Sequence, residues 1–305
     1  MAMSLVARIE EAYSVKISRM KDFRDVHRLS TADGRLICVK RYDIPKPEVD
    51  FIARLLIHLA DSGFRHAPQV VPNIDGTYCI GSKESLYMIT DWVPGRIANF
   101  NERTEWKKAL RTLAELHRHA EFPALGDVPA ARERYTHLRS RIEDYRGYLL
   151  AYEASGFIDM CVSLCDAAIR HLGEEQCIEA VEHEASVRAF VHGDYNYPNL
   201  IADPQGNMHP IDFENASLEP RMADLAHILQ RNVAWKGHEW LRWIEYYDRF
   251  KPLSTGDRHL LFALLHTPYP LIRAIRLNKS TRKVHSAVPS GKALDLYLGS
   301  LHRIL

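Results

Sequence analysis

One stretch decides the fold of this chain, and it reads Val191-His192-Gly193-Asp194-Tyr195-Asn196-Tyr197-Pro198-Asn199-Leu200, with Ile211-Asp212-Phe213 shortly after it. Three polar residues, Asp194, Asn199 and Asp212, stand there among apolar neighbours. Residues 200–202 and 208–211 are predicted to form two short strands, because the Asp203-Pro204-Gln205-Gly206 segment between them has the composition of a tight turn. Such a hairpin would fold Asp212 back beside Asn199.

The three polar residues predict a chemistry. An amide oxygen from Asn199 and a carboxylate from Asp212 would form a hard oxygen site, which suits Mg²⁺ carrying a nucleotide phosphate. Asp194, five residues before Asn199, is placed to orient a nucleophile and accept its proton. These are the groups that phosphoryl transfer to a hydroxyl requires. The alternative is a loop that holds two unrelated acids.

The motif H-G-D-x-x-x-x-N followed by I-D-F resembles the catalytic loop and metal-binding aspartate of the aminoglycoside phosphotransferase-like kinases. That family is similar to protein kinases, in which the loop reads H-R-D-x-x-x-x-N and D-F-G follows. Within that family, the lengths of the segments and the residues that flank the motif look most similar to the spore-coat kinase-like (CotS-type) proteins. The resemblance implies ATP and Mg²⁺ as cofactors, a small-molecule hydroxyl as acceptor and, for the spore-coat group, coat proteins as partners.

Composition narrows the function classes. The chain has 305 residues, enough for two lobes, and a formal net charge of +1. This balance gives no argument for a nucleic-acid or membrane-surface binder. The five cysteines are odd in number and form no C-x-x-C pair, so free thiols in a reducing cytoplasm are expected. Residues 1–15 lack a signal-type apolar core, and no run of 18 apolar residues predicts a membrane span.

The N-terminal part has the pattern of a small sheet with helices. Residues 4–13 are predicted to be a helix and residues 15–20, 25–31 and 35–42 strands, with Asp33-Gly34 as a hairpin turn. Lys40 ends the apolar run Leu36-Ile37-Cys38-Val39. The run resembles the V-A-I-K strand, whose lysine reaches the α- and β-phosphates. A solvated lysine at a strand end is the alternative.

A helix is predicted from Pro47 to Ser62, with an apolar stripe facing the core. Kinase-like lobes need a glutamate on this helix to hold the lysine, and Glu48 is the only glutamate between Lys40 and the end of the helix. An interaction of Glu48 with the helix dipole is the competing interpretation.

The connection from Arg19 to Asp25 departs from the protein-kinase pattern, because it contains no glycine. Glycine lets backbone amides approach phosphates closely, and side chains obstruct that approach. The absence predicts a weak grip on phosphates.

Residues 85–90 form a further predicted strand that leads into Asp91-Trp92-Val93-Pro94-Gly95. This segment resembles the hinge between kinase lobes. By that resemblance, Asp91 would offer its carbonyl and Val93 its amide to an adenine edge. An ordinary exit from a strand into a loop is the alternative.

From Thr104 onward the pattern is helical, with helices predicted over residues 130–154 and 157–171. His117 is expected to be a packed structural histidine. By the resemblance, His192 would pack beneath the catalytic loop and Asp224 would tie down the backbone amides of that loop. An ordinary acid at a helix N-terminus is the alternative for Asp224.

Two charged segments leave the acceptor open. Residues 173–184 hold five glutamates, for which a solvated helix face is expected. A basic cluster comprises Arg273, Arg276, Lys279, Arg282 and Lys283. It is interpreted as a solvated face or, alternatively, as a site for an anionic substrate or partner.

The predicted fold is therefore a two-lobed, protein-kinase-like α+β structure. Residues 1–92 would form a small antiparallel-sheet lobe that binds the nucleotide, and residues 93–305 a mainly helical lobe with the catalytic loop and substrate site. The predicted function is ATP- and Mg²⁺-dependent phosphorylation of a small-molecule hydroxyl in the cytoplasm. The rival is a kinase-fold structural protein, such as a spore-coat component, with little or no turnover. A metal-dependent hydrolase is less favoured, because no histidine cluster accompanies the two aspartates.

Overall fold

The computed structural model describes residues 4–23, 26–82, 85–152, 156–277 and 279–305. The chain divides into two compact units, each built from separate segments. The first unit comprises Met1–Ala98, Ala124–Arg132 and Tyr197–Asn215. The second unit comprises Asn99–Pro123, Glu133–Asn196 and Ala216–Leu305. The expected division of the chain between residues 92 and 93 stays a prediction.

The first unit is built on an antiparallel sheet of five strands in the order β1-β2-β3-β5-β4. The strands are β1 (Ile17–Phe23), β2 (Val26–Thr31), β3 (Leu36–Tyr42), β4 (Cys79–Ser82) and β5 (Ser85–Asp91). On β3 the burial alternates, so that Val39 faces the core while Lys40 on the opposite face pairs with Met88 of β5. The alternation places the lysine on the side of the sheet opposite to the buried valine.

Two helices cover this sheet, α1 (Leu5–Tyr13) and α2 (Lys46–Asp61). Pro47 occupies the first turn of α2, where its missing N–H and fixed φ favour helix initiation. The apolar stripe of α2 is buried through Phe51, Leu55 and Leu59. Burying each such side chain contributes about 1.5–3 kcal/mol, so this stripe fixes the helix on the core.

A second, three-stranded sheet of the first unit holds the predicted hairpin. It has the order β6-β8-β9, with β6 (Arg96–Ile97), β8 (Leu200–Ala202) and β9 (Met208–Pro210). In the hairpin turn, the Asp203 carboxylate accepts a hydrogen bond from the Asn207 amide at 2.7 Å. Gly95 makes the approach of β6 feasible, because a Cβ there would lie 2.3 Å from the Ala202 carbonyl oxygen.

The second unit is mainly helical. Its short strands β7 (Phe190–Val191) and β10 (Ser217–Leu218) pair antiparallel. Its helices are α3 (Arg103–His119), α4 (His137–Leu150), α5 (Gly156–Leu172), α6 (Glu175–Ser186), α7 (Met222–Asn232), α8 (Gly237–Asp248), α9 (Thr255–Leu265), α10 (Tyr269–Arg276), α11 (Thr281–Ser286) and α12 (Gly291–Leu301). The α+β class, with a sheet in the first unit and helices in the second, is confirmed.

Several boundaries differ from those predicted. Residues 130–132 form a 3₁₀ turn, and α4 begins only at His137. The single helix expected over residues 130–154 is therefore wrong at its start. At its end, residues 153 and 154 lie outside the described residues. Strands β1 and β2 extend to Phe23 and from Val26. Residues 24 and 25 of the expected connection lie outside the described residues.

The cysteines and the helix lengths agree with the expectations from composition. All five cysteines are free, and Cys161 and Cys165 lie in the apolar core of the second unit. Within the described residues, none of the helices is both long and apolar enough to cross a bilayer.

The solvated helix face expected for the glutamates of residues 173–184 is wrong for Glu184. It is buried at the end of α6 and forms an ion pair with Arg221, whose Nε lies 3.0 Å from Glu184 Oε2. Arg221 also donates to the His117 carbonyl at 3.0 Å and to Glu121 at 2.7 Å. Both charges of the Arg221–Glu184 pair are about 95% removed from solvent, with exposures of 5% and 4%. Removing one partner would leave a buried charge uncompensated.

We therefore expect Arg221→Leu to lower the free energy of unfolding by about 3–5 kcal/mol, as broken buried ion pairs do. Urea denaturation followed by tryptophan fluorescence measures this for the second unit, which carries Trp106, Trp235, Trp240 and Trp243. The matched control is Arg139→Leu, which breaks an exposed pair with Glu143 on α4. It should change stability by less than about 0.5 kcal/mol. Equal losses in the two variants would contradict a structural role for the buried network.

Candidate active site

Lys40 lies at the centre of the candidate site in the first unit. Its ammonium group pairs with the Asp212 carboxylate and lies 2.6 Å from Glu214 Oε2. Burial would lower the pKa of Lys40, but the two carboxylates hold it above its usual value. Lys40 is therefore charged at neutral pH and is positioned by two anions.

Asp212 has a left-handed backbone conformation, with φ of +65°. Aspartate tolerates this region better than most residues, and such conformations concentrate at functional sites. Just before it, the Ile211 N–H donates to the Asn199 carbonyl at 2.9 Å. The hairpin therefore brings the backbone of Asn199 next to the residue before Asp212, as the sequence predicted.

The donor set around Asp212 fits a hard divalent cation. It offers the Asn199 amide oxygen and the carboxylates of Asp212 and Glu214, all oxygen ligands. Among the described residues, no group of three or more His, Cys, Asp or Glu side chains is arranged to hold a metal ion. Magnesium sites often use only one or two carboxylates and take their remaining ligands from phosphates and water. The assignment of Asn199 and Asp212 as metal ligands stays a prediction.

Glu48 has a different partner from the one expected. Its carboxylate accepts a hydrogen bond from Arg132 Nε at 2.7 Å, while Arg132 Nη1 donates to the Glu214 carbonyl at 2.6 Å. The ion pairs of Lys40 within the described residues are those to Asp212 and Glu214. Glu48 is thus linked to the Glu214 backbone through Arg132, and its support of Lys40 stays a prediction.

A cavity of about 980 Å³ in the first unit contains these groups. Its lining includes the polar residues Lys40, Asn199, Asp212 and Glu214 together with Cys38, Leu56, Pro68, Met88, Trp92, Ile201 and Ile211. This volume is at the upper end of the range for small-molecule sites. A lining that contains both apolar and charged groups suits a ligand with an aromatic base and an anionic tail.

The segment 91–93 also lines this cavity. The Asp91 carboxylate accepts from the Gln69 amide at 2.6 Å, which fixes the segment, and the Trp92 amide donates to Leu36. The Val93 amide makes no hydrogen bond to any described residue and is available to a ligand. Phe23, at the end of β1, packs its ring 5.2 Å from the Trp92 ring. An aromatic side chain therefore lies at the end of β1, in contact with the segment 91–93.

Asp194 forms the candidate catalytic group of the second unit. Its Oδ1 accepts from Arg231 Nη1 at 2.8 Å and lies 3.2 Å from His227 Nε2. Burial would raise the pKa of Asp194, but His227 and Arg231 hold it below its usual value. Asp194 is thus an ionised, oriented carboxylate at neutral pH.

The backbone of the loop that carries Asp194 is held by Asp224. One carboxylate oxygen accepts from the His192 amide at 2.7 Å and the other from the Gly193 amide at 3.0 Å. His117 Nε2 lies 3.5 Å from the same carboxylate, and its Nδ1 lies 2.7 Å from the Tyr247 hydroxyl. The buried His117 is packed as a structural histidine.

His192 lies fully buried under the loop. Its Nδ1 accepts the Asp194 N–H at 3.3 Å, and its ring meets the Tyr195 ring edge to face at 5.7 Å. Because Nδ1 is engaged by the backbone, this nitrogen is not available as a general base. The contacts suit the positioning role expected for His192.

Sequence reasoning missed four residues at these sites. Glu214 is the second acid after the hairpin, and its position two residues beyond Asp212 was a usable signal. His227 and Arg231 follow Asp224 by three and seven residues, so helix spacing predicted that all three share one face. No local pattern marked Arg132, which lies 84 residues from Glu48.

A sequence model described as "Phosphotransferase enzyme family" matches residues 16–255 of the chain. Among solved structures, an aminoglycoside phosphotransferase from Alicyclobacillus acidocaldarius superposes with a TM-score of 0.78 at 21% identity, over 99% of this chain and 97% of that one. The amicoumacin kinase hAmiN, in complex with AMP-PNP, Ca²⁺ and Ami, gives a TM-score of 0.60 at 13% identity, over 97% and 91%.

A fructosamine-3-kinase described as putative, from Thermobifida fusca, gives a TM-score of 0.58 at 20% identity, over 98% of this chain and 99% of that one. Identities this low show a shared fold. The fold is the protein-kinase-like fold that the catalytic-loop motif predicted.

The hydrogen bonds of Asp224 generate a test. Asp224→Ala should increase hydrogen exchange in the segment 190–196, because two charge-assisted hydrogen bonds to its amides are lost, each worth about 1.5–3 kcal/mol. Exchange measured by mass spectrometry reports this directly. The matched control, Asp166→Ala, removes a half-exposed partner of Arg146 and should leave the segment protected. Unchanged protection in Asp224→Ala would contradict the role assigned to this carboxylate.

Proposed function

Because this chain belongs to the phosphotransferase enzyme family, we propose that it transfers the γ-phosphoryl group of ATP, with Mg²⁺, to a hydroxyl of a small molecule. The observation that carries the proposal is the cavity of the first unit, whose lining brings apolar residues together with Lys40 and two carboxylates. Purified protein that releases ADP with a hydroxylated compound, and not without one, would support it.

Nucleotide binding is assigned to the first unit. In the proposal the Val93 amide and the Asp91 carbonyl pair with the adenine edge, and the Phe23–Trp92 pair covers the base. Lys40 approaches the phosphates as a fixed positive charge, and Glu48 supports it through the network that also contains Arg132 and Glu214. The glycine-free connection after β1 gives little backbone contact with phosphate, so the base and the metal carry most of the affinity.

Asn199 and Asp212, with Glu214 beside them, would hold Mg²⁺ through oxygen atoms. When bound, the ion neutralises charge on the transferred phosphoryl group and orients it. The protein contributes fixed geometry here, because the hairpin and the left-handed Asp212 set the positions of these side chains before a ligand arrives.

In the second unit, Asp194 is the residue proposed to bind the hydroxyl group of the acceptor. Its ionised carboxylate would accept a hydrogen bond from the hydroxyl, orient it for in-line attack and take its proton late in the transfer. His227 and Arg231 fix the carboxylate, and His192 and Asp224 hold the loop beneath it. We place the reaction in the cytoplasm, where ATP is available.

The sequence supports a second candidate, a kinase-fold structural protein of the spore-coat (CotS-type) group with little turnover. The specific observation in its favour is the absence of glycine between Arg19 and Asp25. Against it stand Asp194, Asn199 and Asp212, since a degenerate enzyme often lacks one of these groups. Its partners would be other coat proteins. Nucleotide binding and turnover separate the two candidates.

Asp194→Asn should lower kcat at least ~10²-fold and leave nucleotide affinity unchanged, because the lost charge acts on the acceptor. Steady-state ADP release and calorimetry with Mg-ATP measure the two effects. Asp295→Asn, an exposed aspartate on α12, is the control and should keep wild-type kcat. A kcat within threefold of wild type in Asp194→Asn would refute the assignment.

Mg-ATP should raise the melting temperature, and chelation of Mg²⁺ should remove most of the shift. A ligand at 100 times its Kd stabilises by roughly 2.7 kcal/mol, which a melting experiment detects. Asp212→Ala should lose the Mg²⁺-dependent part, whereas Asp75→Ala, an exposed turn aspartate, should keep it. An absent shift at millimolar Mg-ATP would favour the structural protein.

A further inference from the structure

The surface around Asp194 in the second unit is rich in arginine. It is formed by α7, by α10 packed against α7 and α4, and by the catalytic loop. We define the arginine–tyrosine surface by its members Tyr145, Arg231, Tyr269, Arg273 and Arg276. We propose that this surface binds an anionic group of the acceptor, so that the substrate is a small hydroxylated carboxylate or phosphate. This inference rests on the phosphotransferase function proposed above.

Arg231 connects the surface to the chemistry. Its Nη1 donates to Asp194 Oδ1 at 2.8 Å and lies 3.4 Å from His227 Nε2. A guanidinium has five N–H donors in a fork that matches carboxylate and phosphate oxygens. The bond to Asp194 uses one of the five, so Arg231 can hold the base and contact an anion beside it.

Tyr269, on α10, packs against His227 of α7. Its ring lies 5.4 Å from the His227 ring and 6.4 Å from the Tyr145 ring. Burial raises the pKa of Tyr269, and the positive charges of Arg231 and Arg273 oppose this rise. Arg273 lies one helical turn beyond Tyr269 and so shares its face of the helix.

Two of the carboxylates near this surface are already paired with arginines. Asp194 pairs with Arg231, and Glu219 pairs with Arg141 at 2.6 Å. Arg273 and Arg276 are exposed, and neither forms an ion pair with a described carboxylate. Arg276 instead lies over the Tyr148 ring at 5.6 Å. Two arginines therefore remain uncompensated on the same helix.

The sequence provides no acid to offset them along this segment. No aspartate or glutamate occurs between Asp257 and Asp295, while Arg273, Arg276, Lys279, Arg282 and Lys283 all lie within it. An acceptor with several ammonium groups would meet like charge here. An anion would gain charge-assisted hydrogen bonds while its hydroxyl reaches Asp194.

Four probes that share a three-carbon 1,2-diol and differ in charge test the proposal. They are glycerate, glycerol 3-phosphate, glycerol and 3-amino-1,2-propanediol. Calorimetry without nucleotide and at constant ionic strength should show roughly tenfold or greater preference for at least one anionic probe over glycerol, as expected for one added charged hydrogen bond. The ammonium probe should bind most weakly. The two anionic probes distinguish a carboxylate site from a phosphate site.

Variants assign the effect to this surface. Arg273→Gln removes an exposed guanidinium and is expected to fold normally; it should reduce the anion preference about tenfold or more. Arg231→Gln should do the same and also lower kcat, because it releases Asp194. The control Arg242→Gln removes an exposed arginine on α8 and should leave the preference unchanged.

Equal binding of the four probes, absence of binding by any of them, or a preference that survives Arg273→Gln would overturn the proposal. The proposed function is tested separately by ADP release. Anion-selective binding without ADP release from any probe would support the charge preference and count against the transfer reaction. ADP release with glycerol or the ammonium probe alone would support the transfer reaction and overturn the charge preference.

Discussion

The second unit depends on one buried carboxylate, that of Asp224. An ionised group removed from water is strongly disfavoured unless it is paired and hydrogen-bonded. Burial would raise the pKa of Asp224, but His117 and the His192 amide hold it below its usual value. The charge of this carboxylate is therefore stabilised by His117 and by the loop amides together. Gly193 completes the arrangement with a φ of +80°, which a side chain would make unfavourable.

Helix α7 extends this constraint from the loop to the chemistry. Arg221, the residue just before α7, is held by its ion pair with the buried Glu184. Asp224 lies in the first turn of α7. His227 and Arg231 follow at helical spacing and both contact Asp194. Helix α7 thus fixes the backbone of residues 192 and 193 through Asp224, and it orients the Asp194 carboxylate through His227 and Arg231. A shift of α7 would change the position and the charge environment of Asp194 together.

The sequence predicted the elements whose signals are local. Strand β3, helix α2 and the hairpin after Asn199 follow from alternation, an apolar stripe and a turn within about 20 residues of chain. The partners of charged side chains were not predictable in this way. Glu48 meets Arg132, and Glu184 meets Arg221, across separations of 84 and 37 residues. Local periodicity carries no information on which distant charge a buried group will meet, so the expected glutamate face on α6 was wrong for Glu184.

Charge balance in the first unit gives a physical reason for a divalent cation. Lys40 brings one positive charge to the cavity, and Asp212 and Glu214 bring two negative charges. These three groups alone have a net charge of −1 and would repel a triphosphate. A divalent ion bound to the carboxylates would reverse this sign and free the ammonium of Lys40 to contact phosphate oxygens. In the proposed reaction, with no glycine between Arg19 and Asp25 to ease the approach of backbone amides, the affinity for a triphosphate would depend on that exchange of partners.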